Sequence, residues 1–297
     1  MVEFINKHRI FQILNKEEFD LNIPISSYKD SHFITILRPW INVGNVGHNA
    51  ISRLVKVFDL EELGKLRRPS KYYDMTRYRP EILNDNGKRK IRVPNSVIFG
   101  KRLPSEKNIF LIYMLEPHSF AEDFNEAIID LIKELDGKRY ISIGGMFDSV
   151  PHTKPLPVTG SYKGWIPPSP LDESLKSSSN YQGPTSMTTQ LSQFLHEKLS
   201  IETLSLMVHI PLYIKLEDDF LATYRLLEIL SKIYEFDTNL PEKEKGESQY
   251  KDIHKNLANN NQVSDMIKQF EKENKYQEDK LDLPPEIENF LKDLEDN

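Results

Sequence analysis

The chain has 297 residues, a formal net charge of −6 and no cysteine. The absence of cysteine excludes disulfides, a thiolate nucleophile and every metal site that requires sulfur ligands. The acidic balance argues against a nucleic-acid partner, because affinity for phosphate backbones comes mainly from clustered Lys and Arg. Apolar runs fall short of the roughly 20 residues that span a bilayer, and the first residues lack a secretory cleavage pattern. We therefore expect a cytoplasmic protein without membrane contact.

A first β-strand and helix are predicted near the start of the chain. Residues 32–37 are rich in Phe, Ile and Leu, as expected of a strand that is buried on both faces. The turn Gly44-Asn45-Val46-Gly47 follows, and apolar residues at helical spacing over 50–58 predict an amphipathic helix. Backbone N–H groups at the start of this helix could hold an anion. Because the turn lacks the Lys-Ser/Thr of a P-loop, a tight structural turn and a ligand-contacting turn are both open interpretations.

A strand–helix–strand unit is predicted next. Residues 108–115 predict a strand, and the apolar face over 120–135 predicts a helix that begins at a Ser-x-x-Glu capping box and ends at Gly137. The strand predicted over 139–143 follows immediately. Such a crossover places its two strands parallel in one sheet.

Further segments complete the predicted body. Residues 72–107 carry turn signals between short β-like pieces and predict a small antiparallel extension. Residues 151–184 contain seven prolines around Trp165, which predicts a long irregular loop of the kind that is functional or disordered. A helix, a strand over 203–210 and a helix from near residue 218 come after it. The predicted fold class is α/β, with three α/β/α layers around a mostly parallel central sheet.

We expect two domains, an α/β domain over residues 1–238 and a helical segment over 239–297. The second is rich in Lys, Glu, Asn and Gln, yet apolar residues keep helical spacing over 250–257, 263–270 and 287–294. Isolated helices of this length are marginal in water. We therefore expect a C-terminal helical hairpin that packs on the body or on a neighbouring subunit.

Each of the four predicted strands of the body ends in a polar, Gly or Pro cluster. In an open α/β sheet the functional groove lies outside the carboxyl ends of the strands, so these clusters predict one crevice for a ligand or a partner. The candidate crevice residues are Gly44, Asn45, Gly47, Glu116, His118, Gly144, Gly145, His152, Thr153, Lys154, Tyr181, Gly183 and Thr185.

Glu116 and His118 flank a proline at the end of a predicted strand. A carboxylate and an imidazole could transfer a proton to a substrate held within about 3 Å. Alternatively, Glu116 could accept backbone N–H bonds that pin a neighbouring loop.

His152, Thr153 and Lys154 lie between two prolines that fix the backbone. This rigidity suits a catalytic group, a docking surface or a stiff structural corner. His118, His152 and His209 lack the helical spacing of a metal-binding pair, and no metal or other cofactor is expected. Because no strand-elbow G-x-S-x-G motif is present, no catalytic residue is assigned.

These clusters, with Tyr181-Gln182-Gly183-Pro184-Thr185 and His209-Ile210-Pro211-Leu212-Tyr213, resemble the PAC2 family of proteasome-assembly-chaperone-like proteins. The resemblance covers about residues 30–235, and its specific part is Pro-His-Thr with the later Gly-Pro-Thr. It implies a three-layer α/β fold similar to phosphorylase and hydrolase cores, a helical segment in long prokaryotic members, and a tendency to form homo-oligomers. It implies no established reaction.

The resemblance leaves two functions to distinguish. Some relatives are chaperones for proteasome assembly and dock on the 20S ring through a C-terminal hydrophobic-Tyr-any residue tail. This chain ends Leu294-Glu295-Asp296-Asn297, so docking by that mode is not expected. The first hypothesis is a non-enzymatic homo-oligomeric scaffold whose partners are the proteasome or other proteins. The second is a small-molecule-binding protein or a hydrolase- or transferase-like enzyme. A crevice closed by a subunit or plugged by Trp165 favours the first, and an open pocket lined by Glu116 and His152 favours the second.

Overall fold

The structure, a computed structural model, has a central sheet that is covered by helices on both faces. It describes residues 18–21, 23, 27–85, 87–169, 171, 175, 185–257 and 261–272. The strands in these residues are β1 Phe19–Leu21, β2 Ser31–Arg38, β3 Glu61–Leu66, β4 Glu81–Asp85, β5 Lys88–Arg92, β6 Val97–Gly100, β7 Ile109–Leu115, β8 Gly137–Asp148, β9 Val158–Lys163 and β10 Glu202–Pro211. The α-helices are α1 Val46–Val57, α2 Ala121–Glu134, α3 Met187–Leu199, α4 Phe220–Tyr234, α5 Pro241–Leu257 and α6 Asn261–Lys272. None of these helices is long and apolar enough to cross a membrane.

Eight of the strands form one sheet in the order β1-β3-β6-β7-β2-β8-β10-β9. The four central strands β7, β2, β8 and β10 are parallel to one another. Antiparallel strands extend the sheet on both sides, with β6, β3 and β1 beyond β7 and with β9 beyond β10. The predicted α/β fold with a mostly parallel central sheet is confirmed, and each predicted strand overlaps one of the four central strands.

Alternation along the central strands creates the three layers. In β2, Ile34 and Ile36 point to one face of the sheet and Phe33 and Leu37 to the other, and all four are fully buried. The first pair belongs to a core shared with α1 and α4, and the second pair to a core shared with α2 and α3. An Ile or Leu to Ala change in such a core typically costs about 2–5 kcal/mol.

The two ends of α2 differ from the prediction. The capping box is not formed, because the N-cap residue has left-handed backbone angles and Ser119 N–H donates to Tyr72 O at 3.2 Å. At the other end, Asp136 takes the left-handed position with a φ of 52°, and Gly137 is already the first residue of β8. A Cβ on Gly137 would lie 2.9 Å from Ile132 O. This glycine therefore allows close packing rather than closing the helix.

The predicted antiparallel extension is present in two parts. β4 and β5 form a separate two-stranded hairpin. β3 and β6 instead join the main sheet beside β7. β3 lies before the segment for which the extension was predicted. It was not predicted as a strand, because its sequence is polar and only Leu63 and Leu66 are buried.

Helices α5 and α6 pack on the same face of the sheet as α1 and α4. Tyr250 of α5 and Phe270 of α6 are buried in the core that these helices share. The Glu242 carboxylate at the start of α5 accepts from Arg53 Nε at 2.9 Å and from Arg53 Nη2 at 2.7 Å. The apolar stretch 287–294 lies outside the described residues. The helical hairpin and the division into two domains stay predictions.

Gly246→Ala tests whether α5 is docked on α4. In an exposed helix this change stabilises by about 1 kcal/mol, because alanine is the better helix former. Here the added Cβ would lie 2.5 Å from Leu221 Cα of α4, so the two helices would have to separate. We expect a decrease of about 1–3 kcal/mol in the free energy of unfolding, measured by urea denaturation.

The matched control is Ser248→Ala, since Ser248 lies on the exposed side of the same helix. It should change the free energy of unfolding by less than about 0.5 kcal/mol. An increase in stability on Gly246→Ala would contradict the docking of α5.

Candidate functional site

The carboxyl ends of the four parallel strands lie along one edge of the sheet. Arg38 at the end of β2 is the register partner of Leu115 at the end of β7, and Asp148 of β8 is the partner of Pro211 of β10. The loops that leave these strands therefore start side by side, at the edge where open α/β sheets bind ligands. We call the segments 39–45, 116–120, 149–157 and 212–219 the carboxyl-edge loops.

The glycine turn of the first of these loops packs against β8. Gly145 N–H donates to Ile41 O at 2.8 Å, and Asn42 bridges to Gly145 in parallel register. The sequence pattern had indicated that Gly144 and Gly145 lie in a loop after the strand. This prediction is wrong, because both are residues of β8 itself. A Cβ on Gly144 would lie 2.6 Å from Ile41 O, and one on Gly145 would lie 2.5 Å from Val46 Cγ2. The space beside the glycine pair is thus filled by the turn.

The Asn42 side chain binds the backbone N–H groups at the start of α1 that could have held an anion. Its Oδ1 accepts from Gly47 N–H at 3.0 Å and from His48 N–H at 3.2 Å. Asn45, whose φ is 50°, is the N-cap residue of α1, and its Oδ1 accepts from Asn42 Nδ2 at 3.2 Å. These bonds favour the tight structural turn over the ligand-contacting turn. Asn42 was not a predicted residue, although an Asn shortly before a helix is a capping signal.

Gly44 joins this turn to the start of α4. Its carbonyl oxygen accepts from Asp219 N–H at 2.8 Å, and its φ of 57° favours glycine. Asp219 is fully buried, and its carboxylate accepts from Ala222 N–H at 2.8 Å and from the Tyr250 hydroxyl at 2.7 Å. Burial raises the pKa of this carboxyl. Asp219 therefore links the turn, α4 and α5.

Glu116 and His118 lie at the end of β7 among tyrosines. His118 Nδ1 accepts from Asp74 N–H at 3.1 Å, and its ring centroid lies 4.6 Å from that of Tyr78. The Glu116 backbone fixes the loop, because its N–H donates to Arg38 O at 2.7 Å and its carbonyl accepts from the Tyr78 hydroxyl at 3.3 Å. Burial raises the pKa of the Glu116 carboxyl. The loop is thus pinned through the backbone of Glu116, whereas the sequence had suggested its carboxylate.

A cationic group that the sequence did not indicate lies between β2, β7 and α1. Arg38 Nη1 donates to the Tyr113 hydroxyl, and the guanidinium carbon lies 5.5 Å from the centre of the Tyr113 ring. The His48 ring packs edge-to-face on Tyr113 at 5.5 Å. Burial lowers the pKa of Arg38, and burial with the nearby Arg38 lowers that of His48. Three separate elements supply these residues, so no local spacing in the sequence marks them.

The His152-Thr153-Lys154 loop is covered by α5 and α6. His152 is buried, its Nδ1 lies 2.9 Å from the Tyr213 hydroxyl, and its Nε2 lies 3.1 Å from His254 Nδ1 of α5. Thr153 Oγ1 donates to the Glu271 carboxylate of α6, and Lys154 Nζ donates to Glu271 O at 3.2 Å. The polar groups of this loop therefore hold the helical segment on the body.

From the sequence, His209 was considered among possible metal ligands and Trp165 as a plug of the crevice, and the structure gives both residues other contacts. His209 bonds Asp148 at 2.7 Å and Thr159 at 2.8 Å, which ties the ends of β8, β9 and β10 together. The Arg139 guanidinium lies 3.6 Å from the centre of the Trp165 ring, at the amino-terminal end of β8. Trp165 is thus at the opposite edge of the sheet and does not plug the crevice. Among the described residues, no group of three or more His, Asp and Glu side chains could hold a metal ion.

Glu116 and His152 belong to separate groups of contacts. The end of β7 is separated from the end of β8 by β2, a spacing of about 10 Å across the sheet. Thr185 is exposed just before α3, and Tyr181 and Gly183 lie outside the described residues. A cleft of about 550 Å³ lies at the amino-terminal edge instead, beside Ile109.

Comparison with known proteins identifies the family. The PAC2 family model matches residues 36–257. The chain belongs to the PAC2 family. No curated protein matches it.

Several solved structures share this PAC2 fold. A PAC2 family protein from Streptomyces avermitilis is 23% identical, with a TM-score of 0.67 over 80% of this chain and 100% of that chain. A proteasome-assembly chaperone homologue from Mycobacterium tuberculosis is 18% identical, with a TM-score of 0.67 over 79% and 99%. An archaeal proteasome activator from Pyrococcus furiosus is 15% identical, with a TM-score of 0.58 over 80% and 98%. At these identities the likeness shows the fold.

The bond between His152 and His254 predicts a loss of stability in acid. Burial and the nearby His254 lower the pKa of His152, although Glu271 raises it. The unfolded chain therefore takes up a proton below about pH 6.5 that the folded chain resists. The stability from neutral His152 is complete above that pH and is lost as the pH falls. We expect His152→Gln to have a shallower decline than wild type in urea unfolding between pH 8 and pH 5.

Comparing wild type with His152→Gln separates the contribution of His152 to the pH dependence of stability from those of the other histidines. Burial also lowers the pKa of His48, and it lowers that of His32 to about 4, so wild type and variant share these contributions. Parallel pH profiles for wild type and His152→Gln would refute the prediction.

Proposed function

We propose that this PAC2 chain is a non-enzymatic, proteasome-assembly-chaperone-like scaffold that acts as a cytoplasmic homo-oligomer through protein partners. The observation that carries the proposal is the engagement of the carboxyl-edge loops with the chain's own helices α4, α5 and α6. The polar groups at this edge serve the fold, which is what a rigid scaffold requires.

The predicted catalytic candidates are poorly placed for chemistry. General acid–base catalysis requires a group within hydrogen-bond reach of a substrate. Both ring nitrogens of His152 already face protein groups, and Thr153 and Lys154 are bonded to Glu271. Glu116 lies two strands away from this loop. These contacts therefore favour a structural role, in which His152, Thr153 and Lys154 hold the helical segment on the body, over a catalytic role.

Proteins of the same fold indicate the class of partner. One is a homologue of a proteasome-assembly chaperone, and another is a proteasome activator. Both descriptions name the proteasome. We infer that class of partner for this chain.

One observation favours the alternative, a small-molecule-binding protein or a hydrolase- or transferase-like enzyme. Arg38 is half-buried at the carboxyl edge, and no carboxylate of the described residues lies within ion-pair distance of it. A buried charge is stabilised by a charged partner. An anionic ligand beside Arg38 and His48 would supply one.

Affinity purification from the native cells tests the scaffold. The tagged chain should recover proteasome subunits, or the subunits of another assembling complex, at levels above those of an unrelated protein with the same tag. Quantitative mass spectrometry measures this enrichment. Recovery of the bare homo-oligomer alone counts against the proposal.

A thermal-shift screen with anionic metabolites tests the alternative. A ligand that binds the folded state raises the melting temperature by mass action. If the chain is a scaffold, wild type and Arg38→Gln should respond equally to every compound. A compound that stabilises wild type and His118→Gln but not Arg38→Gln would replace the scaffold with the ligand-binding function.

A further inference from the structure

The β4–β5 hairpin carries an apolar surface that nothing in the described chain covers. All ten residues of its two strands are exposed. Ile82 and Ile91 are direct register partners, and they are 63% and 72% exposed. A two-stranded hairpin by itself is marginally stable in water and is normally packed on something. Within the described residues, the hairpin therefore has apolar surface left for a further contact.

The two faces of the hairpin differ in charge pairing. Because side chains alternate along a strand, Ile82, Ile91 and Arg89 share one face. The opposite face carries two ion pairs, Lys90 with Asp85 and Arg92 with Glu81. Arg89 has no ion-pair partner in the part of the chain that the structure describes. We call the side with Ile82, Arg89 and Ile91 the open hairpin face.

A groove of complementary character lies on the outer surface of the α2–α3 layer. It has a volume of about 420 Å³ and an apolar lining that includes Ile129, Leu191 and Phe194. Phe194 is 41% exposed. Glu122 and Glu126 of α2 line the same groove, are exposed, and pair with no cation among the described residues. The groove therefore has an apolar floor and acidic side chains at its wall. The open hairpin face has an apolar pair and an arginine, so the two surfaces are complementary.

The dimensions also agree. Five residues of a β-strand span about 17 Å, and the groove wall from Glu122 to Lys133 spans about 16 Å along α2. The hairpin does not occupy the groove of its own chain, because Ile82 and Ile91 are exposed. In a solution of this protein, every copy carries both the hairpin and the groove, so the two are present at equal concentration. The positive charge of Arg89 on one copy complements the negative charges of Glu122 and Glu126 on another.

We propose that the open hairpin face of one copy docks in the α2–α3 groove of a second copy. The contact is heterologous, so it forms a closed ring when the rotation between copies closes and an open chain otherwise. This inference rests on the homo-oligomer of the proposed function and names its contact.

Interface substitutions test the contact through the oligomeric state, measured by light scattering and sedimentation. Ile91→Glu should weaken self-association by about 30-fold or more, as for a central interface residue. Arg89→Glu should weaken it about tenfold, and adding Glu126→Arg should restore it by re-forming the pair with reversed charges. The matched controls are Lys88→Glu and Leu83→Glu, which lie on the opposite face of the hairpin and should leave self-association unchanged. All the substituted residues are exposed in the structure. Circular dichroism verifies the fold of every variant.

Disulfide cross-linking tests the geometry, because the chain has no cysteine of its own. Tagged Ile91→Cys copies mixed with untagged Phe194→Cys copies should give a two-chain product under mild oxidation. Ile166→Cys, at a site that is 73% exposed, replaces Phe194→Cys as the control and should give little product.

The outcomes separate this inference from the proposed function. An oligomer that withstands Ile91→Glu and Arg89→Glu, or cross-linking no greater than in the control, overturns the hairpin contact and leaves the scaffold in place. A wild-type chain that is monomeric at all concentrations overturns both the contact and the homo-oligomer.

Discussion

The arrangement of the carboxyl edge depends on one buried carboxylate. A carboxyl group without solvent is tolerated only when its oxygens are hydrogen-bonded, and leaving such a group unsatisfied costs about 1–3 kcal/mol. Asp219 meets this requirement through Ala222 N–H and the Tyr250 hydroxyl, while its own N–H is bound to Gly44. The partners belong to α4, α5 and the turn after β2. Asp219 is therefore satisfied only when all three elements are in place together.

The edge at which other open α/β sheets bind ligands is occupied here by the chain's own groups. The turn after β2 approaches β8 so closely that only glycine fits at Gly144 and Gly145. The amides at the start of α1 are taken by Asn42. On the far side, His152 and its neighbours are bonded to the helical segment. Groups that bind phosphate or substrate in related folds thus hold backbone and helices together.

Local periodicity was sufficient to predict the central strands and the helices that cover them, because these residues are buried in regular alternation. The capping box of Ser119 and Glu122 is not formed because Phe120 takes the N-cap position. In addition, the Ser119 N–H that Glu122 would have bound donates to Tyr72 O. β3 was missed because an edge region needs few buried residues. Arg38 with Tyr113, and His152 with His254, could not be predicted, since each pair depends on strand order or on the docking of α5. The sequence indicated the loops that follow β2 and β7, whereas Gly144 and Gly145 lie within β8. The partners of these residues depend on the tertiary structure.

The exposed isoleucines of the β4–β5 hairpin would contribute free energy to an assembly that buries them. Full burial of Ile82 and Ile91 would contribute about 1.5–3 kcal/mol each. Association costs at least about 4 kcal/mol in lost translational and rotational freedom, so the isoleucine pair alone leaves little net affinity. A stable contact therefore also needs the acidic wall of the α2–α3 groove and surface around the hairpin, towards the roughly 800 Å² per partner of a typical interface. The hairpin can set where two copies meet, but the surrounding surface must determine how tightly they bind.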